Sequence, residues 1–193
     1  MPNSEHFRSV AFELTSGWAS FAIALAKSLK RKYGSEVHFY VRTSQIAKGF
    51  KYLLDEGTCD SLTNSNILFE TVTEKPDDLE SAIEYTRDFE SRTGYTINRL
   101  TFGHRQFSRG YLPSATLFPR SRLFDNVSYE QMICGYAKQL QFWEREFAEK
   151  KISMFFFGQI ELAAIAKWLG VPYRQIDTAR YQDYWMWVHD DFF

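Results

Sequence analysis

The chain has 193 residues and nearly balanced charge, with 23 Lys and Arg against 24 Asp and Glu; 45% of it is hydrophobic and 18% aromatic, with only 10 Gly and 5 Pro. That composition excludes collagen-like, linker-like and disordered chains, and the near-zero net charge argues against a general polyanion coat or a polybasic membrane binder. The length suits one domain and is enough to bury a substantial core.

The first 15 residues contain a short, apolar, β-compatible run, Ser9 to Thr15, that reads as a buried strand. Ser16-Gly17 is a turn, and Trp18 to Tyr33 reads as a helix with cations in its last turns and Gly34 as its stop. Glu36 to Arg42 is a second strand. Ser44 caps a helix running to about Glu56, and a weak strand is expected near Ile67 to Val72. Pro76 opens a further helix that ends near Arg92. Ser128-x-x-Gln131 fits a capping box at the head of a long helix reaching about Lys150. Ile152 to Phe157 is nearly all apolar, as expected of a central parallel strand. A helix from Ile160 to Leu169 follows, then a strand from Tyr173 to Ile176. The predicted fold class is α/β: a Rossmann-like three-layer sandwich with a mostly parallel central sheet. Residues 1–180 are expected to form that single domain. Residues 181–193, dense in aromatics, read as an appended segment and the start of a linker to a second domain.

The charge balance hides an asymmetry. From Ser91 to Phe124 there is no acidic residue, while Arg92, Arg99, Arg105, Arg109, Arg120 and Arg122 all fall there, so the window is +6 and the remainder −7. Gly103, Gly110, Pro113 and Pro119 punctuate it, and it reads as mostly irregular. Arginine presents a planar donor fork suited to phosphates and carboxylates. Two readings stand side by side: an anion site centred on Arg105 and Arg109, or ion pairs with the acids elsewhere. His104 is a candidate general base or a packed histidine. The interleaved aromatics imitate a single-strand nucleic-acid platform, but most read as core. No nucleic-acid partner is expected.

The standard phosphate loops are missing: the first strand-to-helix turn is Thr15-Ser16-Gly17-Trp18, neither GxGxxG nor a P-loop, and no GxSxG elbow occurs. Cys59 and Cys134 form no CxxC, and the four histidines show no metal-ligand spacing. His189-Asp190-Asp191 reads as a solvated acidic pair rather than a divalent-ion site. No metal or cofactor is therefore expected. Ligands of open α/β sheets sit beyond the carboxyl ends of strands. That places Ser16 and Gly17, Glu161 in the first turn of the helix after the apolar strand, and Arg180 after the last strand at one candidate crevice. Each has a plainer reading as a tight turn, a dipole-satisfying acid or a surface ion pair.

The order of an apolar strand with a Gly turn (Ile152 to Gly158), a helix ending in Leu-Gly-Val-Pro (Ile160 to Pro172), a strand followed by Arg (Tyr173 to Arg180) and Tyr181-Gln-Asp-Tyr-Trp, with the Arg-rich Gly103 to Pro113 segment, resembles the N-terminal half of capsule and surface-polysaccharide biosynthesis proteins. Those look like two-domain, GT-B-type glycosyltransferases. The resemblance implies an acceptor-side domain that binds a sugar or glycan acceptor, with the nucleotide sugar held mainly by a second domain. An isolated chain of this length would then be inactive by itself. Ser16, Gly17, Arg105, Arg109, Glu161 and Arg180 would line the interdomain cleft. Relatives often carry an acid before the Arg of the window; this chain has His104, a departure that leaves any catalytic assignment in the window open. The catalytic candidates are His104 and Glu161. The alternative function is a non-catalytic α/β module with an Arg-rich docking loop.

The N-terminus has no basic stretch followed by an apolar core, and the longest apolar runs, Phe21 to Ala26 and Met154 to Phe157, fall well short of the ~20 residues that span a bilayer. A cytoplasmic protein without a transmembrane segment is expected, with peripheral association at the inner membrane face left open.

Overall fold

The computed structural model describes residues 4–15, 17–42, 44–72, 74–103, 127–178 and 185–188. A short 3-10 turn, Ser4–Phe7, leads into β1 (Ser9–Leu14), α1 (Ala19–Tyr33), β2 (Glu36–Val41), α2 (Ser44–Phe50), α3 (Tyr52–Asp55) and β3 (Ser61–Asn64). Then come α4 (Ile67–Thr71), α5 (Leu79–Thr93), α6 (Ile97–Gly103), α7 (Tyr129–Glu149), β4 (Met154–Phe156), α8 (Ile160–Trp168), β5 (Tyr173–Thr178) and β6 (Trp185–Val188). The six strands form one sheet in the order β3-β2-β1-β4-β5-β6. All neighbours are parallel except β5 and β6. The fold is thus α/β with a mostly parallel sheet flanked by helices.

Alternation along the strands sorts side chains onto two faces. Val10, Phe12 and Leu14 of β1 join Val37, Phe39 and Val41 of β2 in a core beneath α1, with Leu53 of α3. Ala11, Tyr40 and Phe155 face the opposite core, built on α7 with Leu68, Phe89, Leu100 and Leu162. Each fully buried Leu, Phe or Trp contributes about 1.5–3 kcal/mol of transfer free energy. The α7 capping box forms as its sequence pattern implies: the Gln131 N–H donates to Ser128 Oγ at 3.1 Å, and the Ser128 N–H to Gln131 Oε1 at 2.8 Å.

Several sequence expectations need correction. The weak strand expected at Ile67 to Val72 is a helix, and the third strand lies earlier, at Ser61–Asn64. Tertiary packing decides this: Leu68 and Val72, four residues apart, sit on Gly135 of α7, and the Leu68 N–H donates to Gln139 Oε1 at 2.9 Å. The helix expected from Pro76 begins at Leu79, because Asp78 accepts the Ser81 N–H and acts as its cap. The single helix from Ser44 is two short ones. The Arg window is not irregular at its start. Arg92 closes α5 and Arg99 lies in α6. Arg92 is structural: it pairs with Asp88 at 2.7 Å and Glu144 at 2.8 Å and lies over the Trp168 ring, tying α5 to α7 and α8. The terminal aromatic segment supplies β6, an antiparallel edge strand of the same sheet.

Gly135 of α7 is a position where an added Cβ would lie 2.8 Å from Val72 Cγ1, 2.9 Å from Leu68 Cδ1 and 3.3 Å from the Leu68 carbonyl. Gly135→Ala should therefore lower stability by about 1–2 kcal/mol through overpacking, against the usual ~1 kcal/mol helix-propensity gain. Urea denaturation measures the sign.

His38 is 3% exposed; its Nδ1 lies 2.8 Å from Ser61 Oγ, and its Nε2 has no hydrogen-bond partner among the described residues. Burial, then the Lys150 charge, hold its pKa below the ordinary value of 6.5, against the opposing pull of Glu36, Asp60 and Glu146. The unfolded chain therefore takes up a proton that the native state resists. Its contribution to stability is fully present above pH 6.5 and falls as pH drops from there toward the lowered native pKa. His38→Gln should flatten the slope of unfolding free energy as pH falls below about 6.5.

Candidate functional site

Strand order reverses between β1, which leads outward to β2 and β3, and β4, which leads to β5 and β6. This is the switch point where the carboxyl ends of two neighbouring parallel strands diverge and a crevice opens. The side chains that meet there on the α7 face line a polar cleft whose described part is narrow, about 10 Å³ or room for one water-sized group, between Glu13, Arg42, Asn66, Gln139, Trp143 and Glu161.

Each is placed by a definite element. Glu13 is the penultimate residue of β1 and faces α7, 3% exposed on a strand that is otherwise apolar except for Ser9. Arg42 follows β2 on the same face and meets it fork to fork: Nε donates to Glu13 Oε1 at 2.8 Å and Nη2 to Oε2 at 3.3 Å. The Arg42 side chain keeps 37% exposure, so the pair spans from interior to crevice. Burial works against the guanidinium charge, but the Glu13 carboxylate and its hydrogen bonds more than offset it and hold the Arg42 pKa above its ordinary value. The Glu161 charge adds to that effect. Glu161 sits in the first turn of α8 and is 3% exposed. Its charge, after burial, helps push the Tyr136 hydroxyl pKa well up.

The turn that delivers α8 is strained. Phe157, immediately after β4, has φ of 57° despite its bulk. Its N–H donates to the Arg174 carbonyl at 2.9 Å and its own carbonyl accepts from Glu13 at 3.2 Å, so ladder bonds on both sides hold it. At Gly158 an added Cβ would lie 2.7 Å from Leu162 Cδ1. This close approach brings the head of α8, and Glu161 with it, down onto the crevice.

Trp143 of α7 forms part of the floor. It is 1% exposed and held edge to face by Tyr40 at 4.8 Å and by Phe155 at 5.7 Å. Its Nε1–H has no hydrogen-bond partner among the described residues. A buried indole donor without a partner costs free energy of order 1–3 kcal/mol, which a bound oxygen would recover. The described lining thus combines the Glu13 and Glu161 carboxylates, an Arg42 fork engaged with Glu13, and a buried indole donor with no hydrogen-bond partner among the described residues. A hydroxyl both gives and accepts a hydrogen bond, so that mixture suits hydroxyl groups. An anion seated there would face two carboxylates against one guanidinium.

Of the residues singled out from sequence, Glu161 lies in this cleft. Gly17 is exposed in the turn before α1, where an added Cβ would meet nothing within 4 Å, so the local geometry makes no demand for glycine. Ser16, His104, Arg105, Arg109 and Arg180 lie outside the described residues. Glu13, Arg42 and Trp143 were not singled out. An acid one residue from the end of an otherwise apolar strand was the available signal for Glu13, and the Arg directly after the neighbouring strand was the signal for its partner. Nothing in the local sequence marks Trp143, because its role arises where three elements meet. Among the described residues, no group of His, Cys, Asp and Glu is arranged to hold a metal ion, and no helix is long and apolar enough to cross a membrane. Comparison of the chain with family models, curated proteins and solved structures finds no match.

Removing one member of the Glu13–Arg42 pair leaves the other uncompensated. Arg42→Ala should cost about 2 kcal/mol in denaturant unfolding, less than the ~3–5 kcal/mol of a fully buried pair because water reaches the guanidinium. The double variant Glu13→Gln/Arg42→Met should recover most of that loss, since neither charge is then stranded.

Proposed function

We propose that this chain is the acceptor-side domain of a glycosyltransferase-like protein of capsule or surface polysaccharide biosynthesis. The observation that carries the reading is the buried Glu161 carboxylate, set at the switch-point crevice beside the Glu13–Arg42 pair and a buried indole donor with no partner among the described residues. A glycan acceptor presents hydroxyls, and this lining matches hydroxyls in both donor and acceptor character. The loose strand-helix-strand resemblance described from the sequence supports the same reading.

In this reading a sugar hydroxyl enters the cleft and donates to a carboxylate. Glu161 takes its proton as that oxygen attacks the anomeric carbon of a nucleotide-activated sugar. The bond from the anomeric carbon to the phosphate oxygen breaks, and the departing phosphate takes the electron pair. Arg105, Arg109 and Arg180 are the proposed cationic partners of that phosphate, and His104 is the second candidate base. The nucleotide sugar is held mainly by a second domain. The acceptor side faces the cytoplasm, with the inner membrane face as the proposed place of work.

The test is sugar transfer by the complete gene product from a panel of nucleotide sugars to glycan fragments. Glu161→Gln should lower turnover by about 10²–10⁴, the range expected for loss of a general base, while glycan affinity changes only a few-fold. Full turnover in Glu161→Gln and in Arg105→Ala/Arg109→Ala would sink the catalytic assignment. If the same Arg variants lost binding of an acidic protein instead, the non-catalytic docking module would be the better account.

A further inference from the structure

The switch-point cleft is small enough to limit what enters it. Its described part holds about 10 Å³, room for one water-sized group. At its floor is the Trp143 indole N–H, buried and with no hydrogen-bond partner among the described residues. A donor in that position calls for one oxygen acceptor at about 2.9 Å. The walls resist widening. The Glu13–Arg42 pair is fixed by two hydrogen bonds. The Trp143 ring is held by Tyr40 at 4.8 Å and Phe142 at 4.9 Å. The head of α8 is pressed down at Gly158, where a Cβ would lie 2.7 Å from Leu162 Cδ1 and 3.2 Å from its Cβ. Opening the cleft further would disturb one of these contacts, in an interior packed too closely to absorb the change. Arg42, whose side chain is 37% exposed, stands at the mouth.

Charge and size together select the group that fits. A carboxylate or phosphate arm would meet the Glu13 and Glu161 carboxylates against one guanidinium that Glu13 already engages. An ammonium arm has no lone pair to accept from the indole. A hydroxyl accepts from the indole and donates to a carboxylate. Size then divides the hydroxyls. A primary alcohol carries its oxygen on a methylene with one onward carbon, so it reaches a buried donor through a narrow opening. The carbon behind a ring hydroxyl carries two further ring carbons, which meet the rim before the oxygen reaches the indole.

We propose that the cleft selects a primary hydroxyl: the hydroxymethyl arm of a neutral hexose enters oxygen first, accepts from the Trp143 indole N–H and donates to Glu161, while the sugar ring stays at the mouth beside Arg42. This inference rests on the acceptor-side reading and narrows it to an acceptor hexose with a free primary hydroxyl. In transfer, that primary oxygen forms the bond to the anomeric carbon, its proton passes to Glu161, and the phosphate leaves with the electron pair.

Titration of the full chain with methyl hexopyranosides, their 6-deoxy counterparts and the matching pentopyranosides, followed at the Trp143 indole N–H resonance, tests it. The hexosides should move that resonance saturably and bind at least about tenfold more tightly than the 6-deoxy sugars and pentosides, which should leave it in place. Hexuronides, with a carboxylate on the same arm, should bind no better than the pentosides. Ethanol should move the resonance where 2-propanol does not. Trp143→Phe, which keeps an aromatic ring and loses the donor, should erase the preference for the primary hydroxyl. The matched sugars need no variant, so the comparison stands whether or not Trp143→Phe folds. Equal binding of hexosides and 6-deoxy sugars overturns the proposal. So does an indole that responds equally to ethanol and 2-propanol, or to neither ethanol nor any hexoside. Transfer by the complete gene product separates this inference from the reading beneath it. Transfer onto a ring hydroxyl, with 6-deoxy acceptors fully competent, overturns the primary-hydroxyl assignment and leaves the transferase reading standing. Primary-hydroxyl selectivity in binding, without transfer from any nucleotide sugar, upholds the assignment and removes the transferase reading.

Discussion

The pair between Glu13 and Arg42 is the constraint on which the candidate site depends. A carboxylate 3% exposed on a central strand is tolerable only if it is matched, and the match here comes from the neighbouring strand through two hydrogen bonds. The β1–β2 register, residue for residue from Ser9 opposite Glu36 to Leu14 opposite Val41, sets Arg42 just past Glu13 on the same face. A slip of one residue would turn either side chain into the apolar core under α1. The same register makes Tyr40 the direct neighbour of Glu13, and Tyr40 in turn holds the Trp143 ring. The ion pair, the register and the floor of the cleft therefore specify one another.

A second acid–base group lies deeper on the same face and separates structural from functional charge. The Tyr40 hydroxyl donates to Glu146 at 2.9 Å, and Lys150 pairs with that carboxylate and donates to Thr63 Oγ1 at 3.1 Å. Burial and the Glu146 charge push the Tyr40 hydroxyl far above its ordinary range, so it stays protonated as a donor. Every member of that group is satisfied within the fold. The switch-point cleft differs because it contains a buried donor, the Trp143 indole, that the described protein does not use. Cys59 belongs with the structural groups: it is 3% exposed, and burial followed by Asp60 raises its thiol to about 11, leaving it an unreactive core residue.

Much of the layer order was legible because it rests on local rules. The Ser128–Gln131 capping box, the Gly34 stop after α1 and the all-apolar strand before Gly158 each announce an element from a few residues. What was hidden depends on contacts between distant segments. Ile67 to Val72 has strand-like composition, yet it winds into a helix because Leu68 and Val72 fit over Gly135 and Gln139. Arg92 fell in the acid-free window, where an anion site and ion pairs with distant acids were both open; its partner Glu144 lies 52 residues away, and no local pattern links them. Glu161 was visible as an acid at a helix head. Glu13 and Trp143 were not, since their meaning comes from the face of the sheet they share. The terminal aromatics read as an appendage, while pairing of Gln175 to Thr178 with Trp185 to Val188 makes them part of the sheet.

The central claim is that the switch-point cleft receives a ligand hydroxyl at the Trp143 indole N–H, beside Glu161. The most direct measurement is the Trp143 indole N–H resonance, assigned by comparison with Trp143→Phe, during titration with neutral glycan fragments. Occupation of the cleft by a hydroxyl should move that resonance downfield and slow its exchange with water, and Glu161→Gln should weaken the titration. An indole resonance that stays unchanged with every glycan fragment that the protein otherwise binds would contradict the claim and place recognition elsewhere on the molecule.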